Sequence, residues 1–167
     1  MKNGISYHLK RHRKTSWFVI EAYDQGKKVG YIHLGLETDD EPVDDIIFEW
    51  RGIPKVEEHI QYDDGAVILY RLNVEKSHWR KGIGTRLVKL AMSESENMFP
   101  FYGIFLEAGT SPHYPEITLE MLMSFYSKIG FNVWSVGDQR QTALMQMSCE
   151  EIWDNNRPHA KRNKMGS

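Results

Sequence analysis

A nine-residue apolar segment, Ala66–Val74, constrains the fold of this chain more than any other feature of its sequence. The segment reads Ala-Val-Ile-Leu-Tyr-Arg-Leu-Asn-Val, and a glycine-containing turn and a helical pattern follow it. A nearly continuous run of apolar residues that is rich in β-formers is typical of a strand buried on both faces. The segment therefore predicts a central strand in a sheet that is covered by helices.

The rest of the chain supplies two helices and several more strands. Apolar residues at helical spacing predict helices at residues 83–97 and 116–129, with Pro115 before the second helix and Gly130 after it. Residues 24–27 predict a tight turn between the two strands of a β-hairpin. The other predicted strands are residues 5–9, 17–23, 28–36, 101–107, 131–136 and 142–148. This order predicts an α/β (mixed α+β) fold, with a central mixed sheet of about six to seven strands flanked by helices.

Charge is distributed unevenly along the chain, although 21 basic and 23 acidic residues give a net charge of only −2. This total argues against a wholly basic nucleic-acid-binding protein and against an acidic disordered chain. Residues 1–14 and 157–167 carry basic residues and no acidic ones. Residues 37–64, in contrast, carry eleven acidic residues against Arg51 and Lys55.

The length of 167 residues suits a single domain with its own hydrophobic core. We expect this domain to cover residues 1–153, with the acidic stretch as an insertion at residues 38–65. Residues 154–167 are polar and basic, which is typical of a disordered tail.

Cysteine content and hydropathy exclude several classes of protein. Cys149 is the single cysteine, so neither an intrachain disulfide nor a cysteine zinc cage can form, and no metal site is expected. No run of about 18 apolar residues is present, so we expect no membrane span. No apolar stretch follows the basic N-terminal residues, which disfavours a secretory signal and favours a cytoplasmic setting.

The turn after the central strand has the character of an anion-binding loop. Residues 79–86 read Trp-Arg-Lys-Gly-Ile-Gly-Thr-Arg and open the first predicted helix. Glycines let the backbone approach a phosphate, and the N–H groups and dipole of a helix N-terminus attract negative charge. The Gly-Lys-Ser/Thr ending of a P-loop is absent, and Leu87 fills the third glycine position of a dinucleotide fingerprint. On its own, such a loop is more often an ordinary strand–helix turn that needs two glycines.

Two blocks taken together resemble the GNAT superfamily of acyl-CoA-dependent N-acetyltransferases. Leu-Asn-Val at 72–74, followed after six residues by Lys-Gly-Ile-Gly-Thr-Arg-Leu at 81–87, resembles the acetyl-CoA pyrophosphate motif of that family. Phe-Tyr-Ser-Lys-Ile-Gly-Phe at 125–131 resembles its Tyr-x-Lys-x-Gly-Phe signature. The resemblance covers about residues 66–135.

The resemblance implies transfer of the acetyl group of acetyl-CoA to a primary amine, by direct attack in a ternary complex. It implies a sheet splayed near the CoA site, where the end of the central strand pairs with pantetheine and the loop N–H groups hold the pyrophosphate. It also implies that Tyr126 protonates the departing CoA thiolate; as an alternative, Tyr126 only packs against CoA. The expected cofactor-binding residues are Leu72, Asn73, Val74, Trp79, Arg80, Lys81, Gly82, Ile83, Gly84, Thr85 and Lys128.

The sequence departs from the family pattern at three places. Trp79 stands where a Gln or Arg is usual, and Leu119 stands where an Asn is often found. Residues 10–16 also leave no room for the helices that the family places between its first two strands. Trp79 keeps open an alternative function, that of a GNAT-fold CoA-binding or interaction protein without catalysis, which acts through its acidic or basic surface on a protein or nucleic acid.

Amine acetylation needs a neutral amine, so a carboxylate or a histidine near the acceptor could take up its proton. Glu107, at the end of the strand 101–107, is the candidate we favour, because ligands bind at the carboxyl ends of the parallel strands in such sheets. Glu75 and His113 are alternatives, and some family members use no protein base.

The charge pattern gives hypotheses about partners. The acidic stretch favours a cationic acceptor, either a small molecule or a protein amine, because an acidic wall concentrates cations; a solvated insertion explains it equally well. The basic ends could instead contact nucleic acid, which we expect less, since no base-reading motif is present. GNAT proteins are often dimers, so a homodimer is also compatible with the sequence.

Overall fold

The computed structural model describes residues 4–11, 17–37, 66–98, 103–137 and 141–148. The predicted acidic insertion and the predicted basic tail lie outside these ranges, as does Cys149. The described strands are β1 Ser6–Arg11, β2 Trp17–Asp24, β3 Lys27–Glu37, β4 Ala66–Val74, β5 Gly103–Gly109, β6 Asn132–Val136 and β7 Thr142–Ser148. The described α-helices are α1 Ile83–Met98 and α2 Leu119–Ile129, and a short 3-10 helix, Lys76–His78, precedes α1.

The seven described strands form one mixed sheet in the order β1-β2-β3-β4-β5-β7-β6. The predicted central strand, β4, lies in the middle and pairs antiparallel with β3 and parallel with β5. The other strand pairs are antiparallel. The mixed α/β class and the predicted six to seven strands are therefore confirmed.

The predicted hairpin is formed by β2 and β3 and turns at Gln25 and Gly26. Both turn residues have positive φ angles, 49° and 82°. Two consecutive residues in this region are what a tight two-residue hairpin turn needs, because its twist then matches that of the strands. The turn holds Asp24 and Lys27 beside the loop that follows β4.

The two helices cover different halves of the sheet. Helix α1 contacts β2, β3 and β4, and α2 contacts β5, β6 and β7. They share one hydrophobic core, to which α1 contributes Leu87 and Ala91 and α2 contributes Leu119 and Ile129. The two helices meet where Gly84 of α1 approaches the ring of Phe125: a Cβ at Gly84 would lie 3.3 Å from Phe125 Cζ. No helix within the described ranges is long and apolar enough to cross a membrane.

The predicted start of the second helix at residue 116 is wrong. Helix α2 begins at Leu119 because Thr118 caps it: its hydroxyl accepts a hydrogen bond from Met121 N. Pro115 lies in the turns before this cap, not in the first helical turn. The predicted end is confirmed, since Gly130 follows Ile129 with a φ of 123°.

Candidate functional site

The site is built around an opening between β4 and β5. The two strands pair over only three positions, from Val67 opposite Ile104 to Leu69 opposite Leu106. Beyond these pairs β4 continues to Val74 and β5 continues to Gly109 without pairing with each other. The sheet is therefore splayed, and residues 70–74 of β4 do not pair with β5.

A β-bulge accompanies the divergence of the strands. Leu34 lies opposite Leu69 while the preceding residue, His33, lies opposite Arg71, so Tyr70 is an extra residue on β4. The ring of Tyr70 stacks on that of Trp17, with centroids 3.9 Å apart. Trp17 also covers Gly35, where an added Cβ would lie 2.8 Å from the indole. The bulge is thus held by aromatic packing, next to the point where the strands separate.

The loop after β4 has the backbone geometry of an anion site. Arg80 and Gly82 have positive φ angles of 61° and 78°. Residues in this region alternate the direction of successive N–H groups and can form an anion-binding concavity. Helix α1 begins directly afterwards, where Arg86 N donates to Gly82 O at 3.0 Å. The backbone N–H groups of the loop therefore lie next to the N-terminus of α1, and both attract an anion.

A cavity of about 750 Å³ lies between the end of β4, this loop and α2. Such a volume is typical of a small-molecule or cofactor site. The predicted cofactor-binding residues that line it are Leu72, Val74, Trp79, Arg80, Gly82, Ile83, Gly84 and Thr85. Asn73, Lys81 and Lys128, which were predicted with them, are not among its lining residues.

The sequence did not indicate the opposite wall of the cavity. It is formed by Ile117 and by Met121, Leu122 and Phe125 on α2. Met121 is 47% exposed, unusually high for a large apolar residue. Its spacing of four residues from Phe125, on one side of a helix, is a signal that could have indicated an apolar wall.

Trp79, the main departure from the family pattern, has a definite structural role. Its indole Nε1 donates to Val74 O at 2.7 Å, so the ring folds back onto the end of β4. The ring also makes an edge contact with Tyr114, with centroids 5.4 Å apart. Trp79 thus fixes the turn between β4 and α1 and presents an aromatic surface to the cavity.

Tyr126 lies on α2 with only 7% of its surface exposed. Its ring packs against Phe125 and Phe131, with centroids 4.9 and 5.7 Å away. Burial raises the pKa of the phenol above its ordinary value of 10.0, so Tyr126 is a protonated hydroxyl at neutral pH. It is not among the residues lining the cavity, although its neighbour Phe125 is.

Glu107 is the first residue of β5 beyond its pairs with β4. Its side chain is half-buried, and its Cα lies opposite that of Leu144 in β7. It therefore stands at the divergence of the two strands, but it is not among the residues that line the 750 Å³ cavity.

The alternative candidates for the base lie elsewhere. Glu75 forms an ion pair with Lys27 at 3.1 Å. His113 is exposed in the loop before α2, where its backbone N–H donates to Ser111 Oγ. Of the three candidates, Glu107 alone lies at the divergence of β4 and β5.

Comparison with known proteins bears on the family and the fold of this chain. The family model described as Acetyltransferase (GNAT) family matches residues 3–131. No curated protein matches the sequence. Three similar solved structures are members of the same broad fold, and because their identities are low they bear on the fold alone.

The first is Arabidopsis thaliana NAA60 in complex with acetyl-CoA, with a TM-score of 0.57, 12% identity and coverage of 81% of this chain and 77% of that chain. The second is Arabidopsis thaliana Naa50 in complex with the bisubstrate analogue CoA-Ac-MVNAL, with a TM-score of 0.52, 19% identity and coverage of 78% and 72%. The third is the KacTA–DNA complex, with a TM-score of 0.53, 20% identity and coverage of 86% and 74%.

The splayed mixed sheet, the glycine loop at the start of α1 and the family match over most of the sequence agree with one another. The chain belongs to the GNAT acetyltransferase family.

Proposed function

We propose that this protein is an N-acetyltransferase, which transfers the acetyl group of acetyl-CoA to a primary amine by direct attack in a ternary complex. The observation that carries the proposal is the cavity that joins the β4–β5 opening to the glycine loop. We place the pantetheine arm between the diverging strands and the CoA phosphates beside Arg80 and the N-terminus of α1, whose positive charge suits them.

In this mechanism the amine nitrogen attacks the carbonyl carbon of the thioester, and the bond between that carbon and sulfur then breaks. Glu107, at the divergence of the strands, takes the proton of the amine, directly or through water. Tyr126, which follows the cavity-lining Phe125 on α2, gives its phenolic proton to the departing thiolate. Burial raises the pKa of Tyr126, so the phenol holds this proton at neutral pH. The products are an amide and free CoA.

We propose a cationic acceptor, either a small amine or an amine of a protein. Eleven acidic residues between positions 37 and 64 support this choice, because clustered negative charge raises the local concentration of cations. The structure of Naa50 with an analogue that joins CoA to a peptide makes a protein N-terminus a natural member of the test panel.

The experiment combines a binding and a turnover measurement. Acetyl-CoA should raise Tm, because it binds the folded state alone. A free-thiol assay over polyamines, lysine peptides and peptide N-termini should then detect CoA release. No rise in Tm at millimolar acetyl-CoA contradicts the proposal.

Gly84→Glu tests the location of the site, and Gly84→Gln is its matched control. Both side chains press on Phe125, but only glutamate adds negative charge beside the proposed phosphate position. We expect acetyl-CoA to stabilise the Gln variant more than the Glu variant, each compared with its own ligand-free Tm.

A second candidate function is CoA binding without catalysis. The burial of Tyr126 outside the cavity lining favours it, since an acid must reach the sulfur that it protonates. A rise in Tm without thiol release from any amine in the panel would support this alternative.

A further inference from the structure

Glu116 is the one acidic residue in the lining of the 750 Å³ cavity, within the part of the chain that the structure describes. Its position is notable because CoA, the proposed cosubstrate, carries several negative phosphate charges. A carboxylate beside such a ligand is repulsive unless a cation compensates it. Glu116 does have such a partner, since its carboxylate forms an ion pair with Lys76, which lines the same cavity.

The ion pair crosses the cavity. Lys76 belongs to the 3-10 helix between β4 and α1, whereas Glu116 lies just before α2. A second contact joins the same two segments, because the rings of Trp79 and Tyr114 meet edge to face. We name these two contacts, Lys76–Glu116 and Trp79–Tyr114, the clasp.

One side of the clasp is firmly anchored. Glu75 N donates to Val29 O at 2.8 Å, and His78 Nε2 lies 3.0 Å from Asp24 Oδ2 in the β2–β3 turn. Together with the bond from Trp79 to Val74 O, these contacts fix the position from which the Lys76 side chain extends.

The other side of the clasp is held by local turns. Tyr114 N donates to Ser111 O, and Ile117 N donates to Tyr114 O. The side chains of Lys76 and Glu116 are 67% and 41% exposed, so their ion pair is of the weak, solvent-screened kind. Lys76 can therefore change partner without disturbing the fold.

We propose that Lys76 is a phosphate-binding residue of the CoA site, and that it exchanges the Glu116 carboxylate for a CoA phosphate when CoA enters. The inference rests on the proposed function, since it takes CoA as the ligand. Lys76 joins Arg80 and the N-terminus of α1 as a third positive group facing the cavity. Glu116 competes for this cation in the empty protein. Glu116 is ionised at neutral pH, and the hydrogen bond from Lys76 lowers its pKa further below the ordinary value of 4.5.

The test measures CoA affinity by calorimetry in Glu116→Gln, Lys76→Gln and the double variant. Removing the competitor should tighten CoA binding by about two- to fivefold, in line with a surface ion pair. Removing the cation should weaken CoA binding by roughly fivefold, as expected for one solvent-exposed pair of charges. In the Lys76→Gln background the gain from Glu116→Gln should be smaller than in the wild-type background, because only the repulsion between Glu116 and the phosphates is then removed and no cation is released.

Two controls separate this exchange from a general charge effect. Glu120→Gln removes an exposed carboxylate from the first turn of α2 that does not line the cavity, and it should leave CoA affinity unchanged. Pantetheine, which lacks the phosphates, should bind the wild-type protein and Glu116→Gln equally well at millimolar concentration, measured by the shift in Tm. The gain for CoA should shrink at high salt.

Three results overturn the clasp exchange: unchanged or weaker CoA binding in Glu116→Gln, an equal gain in Glu120→Gln, or an equal gain for pantetheine. If CoA binds the wild-type protein and Gly84→Glu weakens it while Glu116→Gln has no effect, only this inference fails. If the wild-type protein does not bind CoA, the proposed function fails with it.

Discussion

At the scale of single residues, the proposed chemistry depends on Tyr126 and Glu107. Tyr126→Phe keeps the buried ring between Phe125 and Phe131 but removes the proton donor, so kcat should fall by about 10²-fold with little change in affinity for acetyl-CoA. Glu107→Gln should lower kcat to a similar extent. Steady-state kinetics with the best amine of the panel measures both effects, and an unchanged kcat removes that residue from the mechanism.

The pH dependence of kcat tests the assignment of Tyr126 as the acid. Burial raises the pKa of Tyr126, so the wild-type enzyme should keep its acid through pH 9 to 10 and show no loss of kcat from Tyr126 there. A kcat that falls near the ordinary pKa of a tyrosine, and does so only when Tyr126 is present, would contradict this assignment.

Glu21 offers a residue-scale prediction about stability. The pKa of the Glu21 carboxyl is lowered to about 2, mainly by the hydrogen bond from Lys10. Hydrogen bonds from Tyr23 and Lys28 also lower this pKa, whereas burial raises it. A lowered pKa in the folded state means that the carboxylate stabilises the protein above its ordinary pKa of 4.5, and that this contribution is lost as pH falls toward 2.

Glu21→Gln should therefore lower the free energy of unfolding by about 1–3 kcal/mol at pH 7, since it weakens several bonds to a charged group. The difference from the wild-type protein should shrink as pH falls below 4.5, measured by urea denaturation. Glu75→Gln, which breaks the exposed pair with Lys27, is the matched control and should change stability by less than about 1 kcal/mol. Equal losses in the two variants would contradict the prediction.

At the scale of elements, the position of α2 depends on its cap. Thr118→Ala removes the acceptor for Met121 N and should lower the free energy of unfolding by about 1 kcal/mol, whereas Thr118→Ser should keep most of it. Urea denaturation measures both variants. Because α2 forms one wall of the cavity, we also expect Thr118→Ala to weaken acetyl-CoA binding. Full stability in Thr118→Ala would show that the cap does not set the start of this helix.

At the scale of the whole molecule, the cavity joins two halves that are distant in sequence. One wall comes from β4 and residues 76–85, and the other comes from residues 116–125. Acetyl-CoA should therefore slow amide hydrogen exchange in both segments at once, while β1, which does not line the cavity, should be unaffected. Gly84→Glu is the control and should show little protection. Protection confined to one wall would place the ligand outside this cavity.

The sequence by itself determined the parts of the fold whose signals are local. The apolar run Ala66–Val74, the glycine loop and the block at 125–131 predicted a central strand, a strand–helix turn and the end of a helix, and the structure has each at that place. These features follow from burial, backbone freedom at glycine and helix capping, which depend on residues close together in the chain. The start of α2 was mispredicted because the capping hydroxyl of Thr118 outweighed the proline signal at Pro115.

Only the tertiary structure decided which side chains meet across the site. The extra residue Tyr70 on β4, its stacking on Trp17 and the pairing of Lys76 with Glu116 join residues that lie tens of positions apart. Strand register and helix packing are set by the combined burial of all the elements, and a one-residue shift would turn every side chain of a strand to the other face. For this reason the sequence placed the glycine loop, whereas the wall that faces it and the ion pair that crosses the cavity became visible only in the folded protein.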